Sequence, residues 1–344
     1  MSPTGEGGPA SMRAVALDRF GGPDVLTLRE MPVPLPGPGE VRVRVAYAGV
    51  NFIDVYMRNG TYARSHTYRT PLPMVPGMEG AGVVDMAGEG VEGLAPGVRV
   101  AWCLARGSYA EYAVVPAWKL VRVPGDIGLD RACALMLQGC TAHYLTHSAF
   151  ALGPSHACLV HAAAGGVGQL LVQLAKLRGA RVVATAGSAA KAALARERGA
   201  DEVVLYRDTD FREAVLRFTH GRGVDVAYDS VGRDTVARSI RSVRRRGLCV
   251  LYGASSGSVE AVSPLELAEA GSVFFTRPHL ADYLHDAAEV TLRTRDLFAA
   301  VLAGRLQVAL DRELPLARAA EAHQLLEARA TSGKVLLAVA GARA

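Results

Sequence analysis

Leu159-Val160-His161-Ala162-Ala163 runs without a break into Ala164-Gly165-Gly166-Val167-Gly168, and residues 169–178 follow with the apolar spacing of a helix. An apolar strand, a glycine turn and a helix in that order make the glycines informative where they alone would be a weak signal. The segment reads A-x-x-G-x-x-G, with Ala162 where the usual dinucleotide fingerprint has its first glycine. Gly165 lets a backbone approach a pyrophosphate, and Gly168 lets the helix pack close to the strand. The N–H groups that open the helix carry the positive end of its dipole toward the phosphates. Ala164, Gly165, Gly166, Val167 and Gly168 are therefore candidate cofactor-binding residues. Outward from this turn come a strand at 181–185, a helix pattern at 189–198, and strands at 202–205, 224–229 and 247–252. Strands alternating with helices at this spacing predict an α/β, doubly wound parallel sheet of the Rossmann type.

The end of the second strand selects the nucleotide. An NAD site expects an acid about 20 residues on, to accept from the ribose 2′-OH. Ala184-Thr185-Ala186-Gly187-Ser188-Ala189-Ala190-Lys191 contains none. Gly187 supplies a small turn, Ser188 a hydroxyl and Lys191 a cation, a set that suits the dianionic 2′-phosphate of NADPH.

Upstream the texture is different. Val41-Arg42-Val43-Arg44-Val45 alternates apolar and charged, and Pro34-Leu35-Pro36-Gly37-Pro38-Gly39 and Pro96-Gly97 punctuate the stretch. Short strands between such turns predict a β-rich, partly barrel-like domain. The last part reads helix, helix, strand at 286–304, 316–328 and 335–339. The final strand has no partner nearby in sequence, so it is expected to return to the first domain and make the nucleotide domain an insertion. The expected division is 12–138 with 284–344 for the first domain, 139–283 for the second, and 1–11 as a disordered lead-in without a signal-peptide core.

The 344 residues carry a net charge of +5, half of them are apolar and 21% are charged. That composition excludes a disordered chain and gives no support to a nucleic-acid surface. Arg244-Arg245-Arg246 reads as a solvated turn. Five scattered cysteines, with no C-x-x-C, argue against a structural zinc or a redox dithiol and fit a reducing cytosol. No apolar run is long enough to span a membrane.

Gly49-Val50-Asn51-Phe52-Ile53-Asp54-Val55-Tyr56, Pro76-Gly77-Met78-Glu79-Gly80-Ala81-Gly82, the 161–168 turn, Asp229-Ser230-Val231-Gly232 and Arg329-Ala330-Thr331-Ser332-Gly333 carry a further reading. Together they resemble the zinc-independent quinone oxidoreductases, the zeta-crystallin-like group of the medium-chain dehydrogenase/reductase superfamily. The resemblance implies a GroES-like first domain and runs from Met12 to about Val339. By motif position, the zinc ligands of the superfamily's alcohol dehydrogenases correspond to Asn51, Met78 and Gln138, a poor donor set for zinc. No catalytic metal is expected. His143 and His147, four residues apart, read as packing histidines.

Hydride delivery without a Lewis acid suits acceptors that delocalise charge themselves, such as quinones and α,β-unsaturated carbonyls. The resemblance places Asn51 and Tyr56 beside nicotinamide and acceptor, with Tyr56 a donor to the acceptor oxygen, and Tyr62 in the pocket. It gives Asp54 the ordering of its loop, puts Gln138 and Thr141 near the nicotinamide ribose, and assigns Ser188, Lys191, Tyr206 and Arg329 to the 2′-phosphate. Ser230, Tyr252, Gly253, Ser255 and Ser256 would line the cofactor cleft. Residues 61–75 are longer than the family usually has and border the expected pocket, where their aromatics and arginines are expected to shape specificity toward larger or acidic acceptors. The expected protein is a cytoplasmic homodimer that reduces quinones with NADPH. The alternatives are an NADPH-dependent enone, alkenal or enoyl-thioester reductase and, as a minor reading, a non-catalytic crystallin-like or RNA-binding protein.

Overall fold

The structure is a computed structural model and describes residues 9–339. The described residues form two compact units, one of residues 138–285 and 292–309, the other of residues 9–137, 286–291 and 310–339.

The first of these is built on a six-stranded sheet. Its strands run Glu202–Leu205, Arg181–Ala186, Ala157–Val160, Val224–Asp229, Val243–Leu251 and Phe274–Thr276 in spatial order. All neighbours are parallel. Numbered along the chain the order is 3-2-1-4-5-6, which is the doubly wound Rossmann order. These strands are short apolar runs because a parallel sheet is buried on both faces. Leu159, Val183, Ala227 and Cys249 are completely buried. Strand Ala157–Val160 ends sooner than its apolar run suggests, because Ala162 turns the chain with φ +50°.

Two expectations are corrected here. Residues 292–309 belong to this unit and not to the first domain. Arg293 Nη1 meets His143 Nδ1 at 3.2 Å and Ser148 Oγ at 3.1 Å, and the Gln173 carboxamide exchanges two hydrogen bonds with the Gln307 backbone at 3.0 and 2.8 Å. Arg244 to Arg246 lie inside strand Val243–Leu251 and not in a turn, with Arg244 Nε donating to the buried Asp225 carboxylate at 2.6 Å.

The other unit centres on the eleven-residue strand Glu40–Val50 of a seven-stranded sheet. That strand pairs antiparallel with Glu79–Ala87, with Tyr112–Pro116 along its first half, and with the final strand Lys334–Ala338 along its second. Val335 lies opposite Val50. The chain's end thus closes onto its beginning, which makes the Rossmann unit an insertion. A separate two-stranded sheet joins Ser11–Ala16 to Thr27–Pro32. Residues 1–8 of the expected lead-in lie outside the described residues. No described helix is long and apolar enough to cross a membrane, and all five cysteines are buried and outside any disulfide.

Candidate active site

In the Rossmann unit, the strand–turn–helix at 157–177 is held open by missing side chains. A Cβ on Gly168 would overlap the Ala162 carbonyl oxygen and stand 2.8 Å from Ala163 Cα. Both are backbone atoms with nowhere to go. Gly165 caps helix Gly166–Leu177, and no side chain bonds to that cap. The first helical N–H groups can therefore face an anion. The Gln138 carboxamide lies over Gly166, where a Cβ would overlap it. Gln138 and Thr141, one turn apart on helix Leu129–Tyr144, are almost fully buried. The Ala164 carbonyl accepts from Gln169 Nε2 at 2.9 Å.

At the ends of the neighbouring strands Arg181–Ala186 and Glu202–Leu205, four predicted residues come together. Ser188 caps helix Ala189–Glu197 by accepting from Lys191 N at 3.3 Å, and the Tyr206 hydroxyl lies 2.9 Å from where a Gly187 Cβ would be. Accepting from the helix leaves Ser188 its own hydroxyl hydrogen to donate. Arg329 belongs to the other unit, where it follows helix Ala319–Glu327 with φ +54°.

A third group forms at the ends of Val224–Asp229 and Val243–Leu251. Asp229, fully buried, accepts from Val231 N, Gly232 N, Thr235 Oγ1 and Ser239 Oγ at 2.7–3.0 Å. This fixes the turn bearing Ser230. A Cβ on Gly253 would stand 2.6 Å from the Ser230 carbonyl oxygen, Ser255 N donates to that oxygen at 3.2 Å, and Ser256 Oγ donates to Val231 O at 2.8 Å. Tyr252 N donates to Asp229 O at 2.8 Å, and burial raises the Tyr252 phenol above its ordinary pKa. The sequence reading quoted Asp229 within its motif and gave it no role; four donors on one buried carboxylate mark it as the organiser.

The other unit builds its site from side chains. Asn51 precedes helix Phe52–Arg58, and its backbone N–H donates to Asp54 Oδ2 at 2.9 Å. Its carboxamide is fully engaged. Nδ2 donates to Glu79 Oε2 at 2.8 Å and to Gly49 O at 3.3 Å, while Oδ1 accepts from Lys334 Nζ at 2.7 Å. Lys334 and Glu79 form an ion pair, both essentially without solvent exposure. Gly49 admits the pair, since a Cβ there would overlap Glu79 Oε2 and lie 2.7 Å from Lys334 Cε.

Asp54, also fully buried, accepts from Met78 N at 3.0 Å and hydrogen-bonds Tyr109. Burial pushes its carboxyl up to about 7, against the N–H groups of Asn51 and Met78 and the Lys334 charge, which favour the ionised form. Beyond Asp54 runs a chain of hydrogen bonds. Tyr109 Oη meets His323 Nε2 at 3.0 Å, and His323 Nδ1 meets Arg58 Nη1 at 3.3 Å. Arg58 makes a two-pronged pair with Glu327 at 3.0 and 2.8 Å. Burial, with the Arg58 charge beside it, holds His323 down to about 3, so the ring is neutral. Arginine only donates, so Nδ1 accepts. The ring hydrogen is then on Nε2 and goes to Tyr109, whose hydroxyl donates to Asp54.

Tyr56 and Tyr62 meet edge to face with centroids 5.5 Å apart, and Tyr68 stacks on Tyr62 at 5.3 Å. The long loop supplies two of these three rings. Sequence reasoning named Tyr56 and Tyr62 and gave no role to Tyr68, Glu79, Tyr109, His323 and Lys334.

A zinc ion does not fit the corresponding residues. The Asn51 oxygen faces an ammonium group, Met78 offers a buried thioether, and the Gln138 carboxamide packs on Gly166. Elsewhere, His143 and His147 stack at 3.9 Å, with His143 bonded to Asp296 and Arg293.

The alcohol dehydrogenase GroES-like domain matches residues 37–125, and the zinc-binding dehydrogenase domain matches residues 166–281. The chain is 40% identical over 328 residues to a 2-haloacrylate reductase from a Burkholderia species, covering 94% of this chain and 98% of that protein. It is 39% identical over 329 residues to quinone oxidoreductase 1 of Escherichia coli K12, with the same two coverages. The crystal structure of the Escherichia coli quinone oxidoreductase complexed with NADPH matches with a TM-score of 0.91 at 38% identity, over 95% of this chain and 99% of that one. Similarity at this level along nearly the whole chain, with both domain types in their expected places, means that the protein belongs to the quinone oxidoreductases of the medium-chain dehydrogenase/reductase superfamily.

Proposed function

We propose that the protein is an NADPH-dependent quinone oxidoreductase. The observation that carries this reading is the acid-free strand end, where Ser188 caps the helix that bears Lys191 and the Tyr206 hydroxyl lies against Gly187, in the same unit as a helix whose glycine cap offers no side chain. NADPH, when bound, supplies the hydride. The opening N–H groups of helix Gly166–Leu177 hold the pyrophosphate, and Ser188, Lys191, Tyr206 and Arg329 hold the 2′-phosphate. Ser230, Tyr252, Gly253, Ser255 and Ser256 line the dinucleotide, with Gln138 and Thr141 at the nicotinamide ribose. Tyr56 and Tyr62 pack the acceptor ring, and the Tyr56 hydroxyl donates to its oxygen. Asn51, with its carboxamide fully engaged, acts by fixing the turn that leads to Tyr56. No step needs a metal from this chain's donor set.

The protein works in the cytoplasm as a homodimer. The short edge strand Phe274–Thr276, with Phe274 65% exposed, supports an association of two sheets. A second reading, reduction of an activated alkene, is favoured by the similarity to the 2-haloacrylate reductase. Rates of NADPH and NADH oxidation with 1,4-benzoquinone, 9,10-phenanthrenequinone, a 2-alkenal, 2-chloroacrylate and an enoyl thioester separate the two. Turnover of quinones with NADPH is expected; turnover confined to the alkenes would replace quinone reduction with the second reading.

A further inference from the structure

The pair formed by Lys334 and Glu79 has no evident reason to exist on grounds of stability. Removing two charges from water is costly, and a buried pair is often replaceable by apolar side chains without loss. Here both partners are buried, and a glycine at position 49 is needed to make room for them. What the pair does visibly is hold one carboxamide. Lys334 takes the Asn51 oxygen, Glu79 takes the Asn51 nitrogen, and the two come from strands far apart in sequence. The second Glu79 oxygen accepts from Leu137 N, which anchors the carboxylate to helix Leu129–Tyr144. Asn51 in turn starts the seven-residue helix that carries Tyr56. A carboxamide whose two ends are told apart by a cation and an anion has a single orientation.

We propose that Lys334 and Glu79 are positioning residues of the acceptor site: their buried ion pair sets the Asn51 carboxamide in one orientation and thereby fixes the turn from which Tyr56 reaches the acceptor. This rests on the quinone-reductase reading for its consequence in catalysis.

The test is the double variant Lys334→Met with Glu79→Gln, which removes both charges and leaves neither buried alone. A second pair, Lys334→Gln with Glu79→Gln, keeps hydrogen-bonding atoms at both positions in case the first folds poorly. The variants are expected to keep the wild-type NADPH dissociation constant within about twofold and to lose at least tenfold in kcat with 1,4-benzoquinone. In parallel, the Asn51 side-chain amide is followed by NMR with selectively labelled asparagine. Two distinct, exchange-protected Hδ2 signals are expected in the wild type, and loss of that protection in the variants. Wild-type kcat in a folded variant, or unchanged Asn51 signals, overturns the positioning role. Wild-type protein that fails to oxidise NADPH with the quinone ends the quinone-reductase reading instead, and the Asn51 signals then decide the positioning by themselves.

Discussion

The glycine turn of one unit and the buried network of the other are made in opposite ways. The nucleotide turn is built from backbone and from absent side chains: Gly165, Gly166 and Gly168 within four residues, set by one strand and one helix. The network around Asn51 is built from side chains that converge from across the other unit, with Asn51, Asp54, Glu79, Tyr109, His323 and Lys334 all buried. A backbone device tolerates no added atoms but carries little charge. A side-chain device carries charge into the interior and depends on every partner being present, because an unpaired buried polar group is costly. The first can be broken sterically, and the second electrostatically.

The largest effect should come from the steric break. Gly168→Val puts carbon into the Ala162 carbonyl and against Ala163 Cα, both backbone. Overpacking of this kind without a rotamer to absorb it is expected to cost about 4 kcal/mol and to abolish NADPH binding. Chemical denaturation and cofactor titration read both; a stable variant with normal affinity would show that the turn can move. Next comes the cofactor's outer end. Lys191→Ala is expected to weaken NADPH by about ten- to a hundredfold, the equivalent of about 1.5–3 kcal/mol for a charge-assisted contact, and to leave NADH almost unchanged. Equal losses for both cofactors would take Lys191 away from the 2′-phosphate.

The same contrast decides what the sequence could reveal. The strands at 202–205 and 224–229 appear where short apolar runs place them, and the glycine turn sits where its motif does, because each depends on neighbours a few residues away. The return of the last strand to Val50 was also legible, since an isolated strand must pair somewhere. Lys334 and Glu79 were not, being 255 residues apart, each an ordinary charged residue until the fold buries them together. Residues 292–309 were misassigned for the same reason: Gln307 meets Gln173 across 134 residues. Gly49 is the local trace of the hidden network, a small residue on a strand that leaves space for something large.

The electrostatic device should show itself in the pH dependence of stability. His323 is held down to about 3 in the folded protein from an ordinary 6.5, so its contribution to stability is whole above 6.5 and is lost as pH falls toward 3. Asp54 runs the other way. Its folded carboxyl titrates at about 7 against 3.8 when unfolded, so its contribution is whole below 3.8 and is lost as pH rises through 7. Between about pH 4 and 6.5 the two slopes oppose each other. His323→Leu removes one of them. The variant should be less stable than wild type at pH 8, and the gap should narrow on acidification by up to ~1.4 kcal/mol per pH unit. Urea midpoints from pH 8 to 4.5 measure it; parallel curves would mean that His323 is not held neutral by its surroundings.

The smallest effect tests whether the nucleotide turn stores strain at its first position. Ala162 is exposed and has φ +50°, in the left-handed region that glycine enters freely. Holding alanine there costs roughly 1 kcal/mol. Ala162→Gly would relieve that strain but would give the unfolded chain extra freedom worth roughly 0.5–1 kcal/mol. Since no buried methyl is lost, the two should cancel to within about 0.5 kcal/mol, with NADPH affinity unchanged. A loss above ~1 kcal/mol would mean that the methyl group does something in the turn that its exposure does not suggest. A gain of the same size would mean that strain at this position is larger than the dihedral alone implies. Either result would locate the turn's rigidity in residue 162, and a null result leaves it with Gly168, where the backbone atoms meet.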